Sequence, residues 1–279
     1  MGNLLSSDLY RFKKKKSNLV LLIILFAIMT LELFGNGFLL GNAPWVIQFS
    51  NTVDELTNGG ILFSFSDLRA MMFASFDPIR TFSDVIVHSF SNYTMIFMSL
   101  FIATFIMQPL RTSYLKNLAS EFPRPFFVYS DTVFLAVWCF VVTMINALLA
   151  VPFGLAFFKV SGPGNVFELL VWIFIKFLLL FATSLGISLF VTLLKRSSLA
   201  ITFAILYIAV LGPNFFAIGD FVMGYSDSGF RFSYLTPFGN YEILDTDIVH
   251  LLIGMAVALL YAALAFWLRV LLYRKRDIY

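Results

Sequence analysis

Residues 11–40 read RFKKKKSNLVLLIILFAIMTLELFGNGFLL. A block of four lysines runs into a stretch long and apolar enough to cross a bilayer. About 20 consecutive apolar residues are needed to span a hydrocarbon core of about 30 Å. This junction has three possible readings. The chain opens MGNLLS, which fits a lipid-attachment signal on Gly2. The lysines match a nucleic-acid patch as well as a membrane-surface patch. Or they are the cytoplasmic foot of a membrane-spanning helix. The apolar run decides for the third. A lipid anchor is redundant beside a membrane span, and lysines just before one form an orientation signal that needs no nucleic acid. No small-residue cleavage site precedes Glu32, so the run is expected to stay as an anchor.

The rest of the chain repeats this pattern. Apolar residues make up 60% and charged residues 13% of the sequence, far from the roughly 25% charge of soluble domains. The excess lies in long runs, which predicts an all-α integral membrane protein with six spans. These are expected at 18–40, 88–110, 131–157, 167–194, 198–218 and 248–273, with an early stop of the first at Phe34-Gly35-Asn36-Gly37 as the alternative. Residues 41–87 form a long first loop that includes ILFSF and AMMFASF. Short helices are expected there, partly packed on the membrane surface or on the spans. The whole of 1–279 reads as one transmembrane domain.

Lysine and arginine set the orientation. Arg11 and Lys13 to Lys16 precede the first span. Arg111, Lys116 and Arg124 follow the second, Lys195 and Arg196 follow the fourth, and Arg269, Arg274, Lys275 and Arg276 lie at the C-terminal end. These are 14 of the 19 basic residues. With six spans all four segments share one side, which is then the cytoplasm. Both termini are expected inside and the long loop outside, in a multi-pass protein of a cell membrane, the bacterial plasma membrane by this reading.

Enzyme chemistry finds little support. There is no G-x-x-x-x-G-K-[ST] phosphate loop, no H-E-x-x-H and no G-x-S-x-G. His88 and His250 stand on different spans without cysteines or paired carboxylates, a poor metal site. The lone Cys139 reads as a small buried hydrophobe. No catalytic residue, metal or cofactor is expected in the chain.

The cytoplasmic segments carry more information. Leu5, Leu9 and Phe12 recur at helical spacing, with Asp8, Arg11 and Lys15 on another face. That predicts an interfacial amphipathic helix over 1–17. In residues 111–130, Tyr114, Leu115, Leu118 and Phe122 form an apolar stripe beside Glu121, with Pro123 and Pro125 expected to close the helix. Such a stripe fits a groove on a partner, or folds back on the bilayer or the chain's own spans.

Taken in order, these segments resemble the permease subunit of a type-2 ATP-binding-cassette (ABC) exporter. SDLYRFKKKKSN (7–18) is similar to that family's N-terminal connecting helix. YLKNLASEFPRPFFVYSD (114–131) is similar to its segment between spans two and three. LLKRSSLAITFAI (193–205), YLTPFGNYEI (234–243) and LLYRKRDIY (271–279) resemble its later segments. SEFPRP (120–125) departs from the serine or glycine turn that is more usual there. The resemblance covers essentially the whole chain. It implies two permease copies, identical or paralogous, paired with two cytoplasmic ATPase subunits. Those subunits would bind ATP and magnesium. Tyr114, Leu115, Leu118, Glu121 and Phe122 would form a coupling helix in the ATPase groove. The implied activity is export, or clearance from the membrane, of an amphipathic substrate: an antimicrobial or bacteriocin-like peptide first, drug-like or lipid-like compounds next. The competing readings are a secondary transporter or channel, and an intramembrane enzyme such as a peptidase. The first lacks clear repeats and midplane charges; the second lacks a catalytic constellation.

Within the spans, ionisable residues are costly and usually face inward. Glu32 lies 14 residues after Asn18, and Lys176 lies 18 residues before Leu194. Those separations are about 21 and 27 Å of helix, which puts both in the same outer third of the bilayer. A structural Glu32–Lys176 ion pair is expected. The alternative is that each reaches the outer headgroups by itself, with Glu168 competing for Lys176. Thr143, Asn146, Thr183, Ser184 and Ser188 read mostly as packing and interhelical hydrogen bonds, a minority lining a path. Ala182 and Gly186 form a small-xxx-small pair suited to close helix packing. Membrane burial accounts for most of the 35 phenylalanines.

Overall fold

The computed structural model describes residues 10, 12, 16–56, 79–89, 92–111, 123, 125–194, 199, 202, 206, 235–237 and 248–275. All regular structure among them is helical, and no strand occurs. The helices are α1 (Lys16–Leu40), α2 (Pro44–Leu56), α3 (Phe82–Ser89), α4 (Asn92–Arg111), α5 (Pro125–Phe157), α6 (Val166–Leu194) and α7 (Ile248–Lys275). Four of them, α1, α5, α6 and α7, are long and apolar enough to cross a membrane. In α4 the apolar stretch is the shorter Phe97–Ile106. The expected fifth span, 198–218, lies outside the described residues except at Leu199, Thr202 and Leu206, which are helical.

The α1 helix runs to Leu40, the expected end of the first span, and does not stop early at Phe34–Gly37. Glycine in a helix costs about 1 kcal/mol, a penalty that packing easily exceeds. Here the packing needs the glycine, because a Cβ on Gly37 would lie 2.6 Å from Cγ of Phe157. The α5 helix begins at Pro125, six residues before the expected Asp131. Pro125 therefore opens this helix instead of closing the previous one. At the first helical position its fixed φ suits the helix and its missing N–H has no partner to lose. Residues 125–130 thus belong to α5 and not to the 111–130 connecting segment. Within 41–87 the chain forms the short helices α2 and α3.

The described residues divide into two compact units, to which α1, α5 and α6 each contribute different parts. One comprises residues 1–25, 92–143 and 172–279. Its centre is α4, where Met95, Met98, Ile102, Phe105 and Ile106 are all fully buried. A helix apolar on all sides is expected to be enclosed. The Phe105 ring stacks on Phe134 of α5 with centroids 4.5 Å apart. Leu135, Trp172, Leu179 and Leu180 complete the interior.

The other unit comprises residues 26–91 and 144–171. Its core is Leu40, Ala43, Val46, Ile79, Val85, Phe157 and Phe158. The Phe157 ring sits among Phe34, Phe38 and Trp45, at centroid distances of 5.8, 5.2 and 4.9 Å. Asn42 ties the loops together: its Nδ2 donates to the Ile79 carbonyl and its Oδ1 accepts from the Lys159 N–H. Ser161 donates from backbone and side chain to the Arg80 carbonyl.

Both short-range helix starts in this unit follow a polar-x-x-acid pattern. At α3, Asp84 accepts from the Thr81 N–H at 2.7 Å while Thr81 Oγ1 accepts from the Asp84 N–H. At α6, Asn165 Oδ1 accepts from the Glu168 N–H. Each bond satisfies a donor that the first helical turn leaves without a partner. Gly164, just before α6, adopts φ +74°, a conformation open to glycine, and its Cα faces Ser83 too closely for a side chain.

Candidate functional site

The expected coupling residues Tyr114, Leu115, Leu118, Glu121 and Phe122 lie outside the described residues, as do Leu5 and Leu9. Phe12 is described. It is helical and half-buried, and its ring packs against protein. Its centroid lies 4.8 Å from Trp138, 5.7 Å from Phe101 and 6.1 Å from Phe134. The aromatic residue of the amphipathic stripe thus docks on α4 and α5. Such aromatic pairs add about 0.5–1.5 kcal/mol beyond their buried area.

Glu32 is half-buried on α1, in the unit that holds residues 26–91. Lys176 is almost completely buried on α6, in the other unit. Its Nζ lies 4.7 Å from the ring centroid of Trp172, one helical turn earlier. Facing a ring within about 6 Å stabilises a buried ammonium by attraction to the ring quadrupole.

The strongest polar contact was not anticipated. Arg269 of α7 is fully buried, and its Nη2 donates to Oδ2 of Asp131 on α5 at 3.1 Å. Asp131 is the first residue of the expected third span, and Arg269 lies inside the expected sixth. The ends of the two helices in the structure account for the meeting. Asp131 stands six residues after the start of α5 and Arg269 six residues before the end of α7. Equal offsets, about 9 Å of helix each, place opposite charges at one depth when the two helices run in opposite directions.

The neutral polar residues behave differently from the expected interhelical network. Thr183, Ser184, Ser188 and Thr192 donate to carbonyls of their own helix, those of Leu179, Leu180, Leu185 and Ser188. A hydroxyl can satisfy itself on the preceding turn without any neighbour, and in an apolar surround that is the nearest acceptor. Cys139 Sγ and Ser184 Oγ make a contact between helices at 3.3 Å. The Ser184 proton is already given to Leu180, so the thiol is the donor. Thr143 Oγ1 and both amide atoms of Asn146 have no hydrogen-bond partner among the described residues. Ala182 is buried, but a Cβ on Gly186 would meet nothing within 4 Å. The small-residue pair therefore makes no tight seam at Gly186.

Among the described residues no three His, Cys, Asp or Glu side chains converge as a metal site. The described geometry offers buried helix–helix contacts, one ion pair and a caged lysine. No family model, curated protein or solved structure matches the chain.

Proposed function

We propose that this chain is the membrane-spanning subunit of an ATP-driven ABC transporter, which exports or clears an amphipathic substrate, a peptide foremost. ATP would be hydrolysed by a separate cytoplasmic subunit, and a second permease copy or paralogue would complete the pathway. The observation that carries the reading is the ordered set of connecting segments between apolar runs. SDLYRFKKKKSN, YLKNLASEFPRPFFVYSD, LLKRSSLAITFAI and LLYRKRDIY fall in the order of that family's segments, and three of the four carry net positive charge. The four long apolar helices are compatible with it.

The experiment is co-purification with a candidate cytoplasmic ABC ATPase expressed together with this chain, comparing the parent with Leu118→Asp. A charge on the apolar stripe of a docking helix should abolish assembly or coupled transport while the membrane domain stays folded. Unchanged assembly and unchanged transport would remove the coupling-helix assignment. The Glu32–Lys176 pair is proposed on the same footing. Glu32→Lys and Lys176→Glu should each lower thermal stability, and the double swap should recover much of the loss; a double variant as unstable as either single one excludes the pair.

A further inference from the structure

The α2 helix divides its surface into three sectors. Val46 and Ser50 are buried in the unit's core. Gln48, Asn51 and Glu55 are exposed and polar. Trp45 and Phe49 are exposed and aromatic, at 44% each. At 100° per residue, Trp45 and Phe49 lie within about 40° of each other, and roughly 110° separates them from the middle of the polar sector. Ile47, also exposed, borders the buried sector on its other side. The aromatic strip carries no charge, and the Trp45 indole N–H is already given to the Ala156 carbonyl at 2.6 Å. What this strip presents outward is therefore ring surface.

The position of α2 is constrained by what precedes it. The apolar part of α1, Asn18–Leu40, has 23 residues. That is about 33 Å of helix, matching a hydrocarbon core of about 30 Å. Leu40 thus stands at one face of the core. Only Gly41, Asn42 and Ala43 separate it from Pro44, a reach of about 14 Å at most. The turn is also pinned. The Ala43 N–H donates to the Phe157 carbonyl at 3.0 Å, and Asn42 holds both Ile79 and Lys159. The strip continues the exposed face of α1. The Phe38 ring touches Trp45 and Phe49 at 5.9 and 5.2 Å, and Leu31 and Phe34 on α1 are exposed at 68% and 43%.

We propose that α2 is an interfacial helix whose Trp45–Phe49 strip is sunk into the boundary between lipid headgroups and acyl chains, at the Leu40 end of α1. Lipid is favoured over a second copy of the chain. On α2 the strip offers two ring faces, while a stable protein interface needs about 800 Å² per partner. Amphipathic helices bury an apolar face about 5–10 Å into this boundary and leave the polar face in water. No basic residue lies on α2, so binding should not depend on anionic lipid. The inference requires α1 to cross the membrane and is independent of the transporter reading.

The test uses the full chain with its single cysteine replaced, Cys139→Ala, reconstituted in phosphatidylcholine vesicles. Single nitroxide labels are placed by Phe49→Cys, Asn51→Cys, Glu55→Cys and, as a lipid reference, Leu31→Cys. The labels at 31 and 49 should collide more with oxygen than with a water-soluble nickel chelate, and those at 51 and 55 should show the reverse. A membrane-impermeant maleimide gives a second measurement on the same variants. It should react about tenfold more slowly at 49 than at 51, because the 5–10 Å of burial hides the thiol. Preference for the nickel chelate and fast maleimide reaction at 49 would place the strip in water and overturn the proposal. Low collision with both reagents at 49, with spin–spin broadening, would assign the strip to a second copy and overturn it equally. Uniform values at 49, 51 and 55 would show that α2 has no sided face.

Discussion

Arg269 and Asp131 join α7 to α5 through one hydrogen bond of 3.1 Å inside the protein. The guanidinium is fully buried, and its Nε and Nη1 have no hydrogen-bond partner among the described residues. Removing one member of such a pair leaves an uncompensated buried charge, which costs about 3–5 kcal/mol, whereas replacing both by apolar residues is often neutral. Asp131→Asn and Arg269→Met should therefore each lower the thermal midpoint of the detergent-solubilised protein strongly. The double variant Asp131→Leu with Arg269→Met should stand closer to the parent than either single one. Fluorescence-detected size exclusion after heating reads this directly. A double variant as unstable as the sum of the singles would mean that the two side chains act separately.

Gly37 and Gly35 are two residues apart on α1 and should respond oppositely to alanine. At Gly37 a methyl group would meet three carbons of the Phe157 ring within 2.9 Å, and at Gly35 it would meet nothing within 4 Å. Gly37→Ala should destabilise by about 1–3 kcal/mol through overpacking. Gly35→Ala should be neutral or stabilise by up to about 1 kcal/mol, the difference in helix propensity. Thermal unfolding of the two variants side by side separates the effects.

Phe12 and Tyr10 should also differ. Phe12 contacts three rings, while Tyr10 is 61% exposed. Phe12→Ala should cost about 1–3 kcal/mol from lost burial and ring contacts. Tyr10→Ala should stay within about 0.5 kcal/mol. Protease sensitivity of the N-terminal segment checks the same point: it should rise for Phe12→Ala and not for Tyr10→Ala.

The α3 start gives a smaller effect. Asp84 accepts from the Arg80 and Thr81 N–H groups at 3.0 and 2.7 Å. Asp84→Ala removes the acceptor of both N–H groups and should cost about 1 kcal/mol, read as faster amide exchange at residues 80 and 81.

Much of the architecture was legible from composition along the chain. The bounds of α1, α6 and α7 fall within two residues of those expected, because uninterrupted apolar runs admit one solution, a helix. The start of α5 was misplaced because Pro125 serves equally as a stop and as a first residue. Only the burial of Phe127, Val128 and Ser130 alongside it separates the two, and that burial is a tertiary fact. The hydroxyl residues of α6 were read as links between helices. Their partners were on their own preceding turn, which spacing alone cannot distinguish.

The sequence by itself determined that the chain is helical and built for a membrane, because hydropathy and run length are local properties that each segment carries alone. It also placed the basic residues in four segments before any packing was considered. Only the tertiary structure decided that Arg269 meets Asp131, that Phe12 lodges among Phe101, Phe134 and Trp138, and that Gly37 receives the Phe157 ring. Those contacts depend on the rotation of each helix about its axis. In a helix apolar on nearly every side, rotation is set by the few groups that cannot face lipid and by the fit of rings into gaps, and both become visible only when the helices stand together.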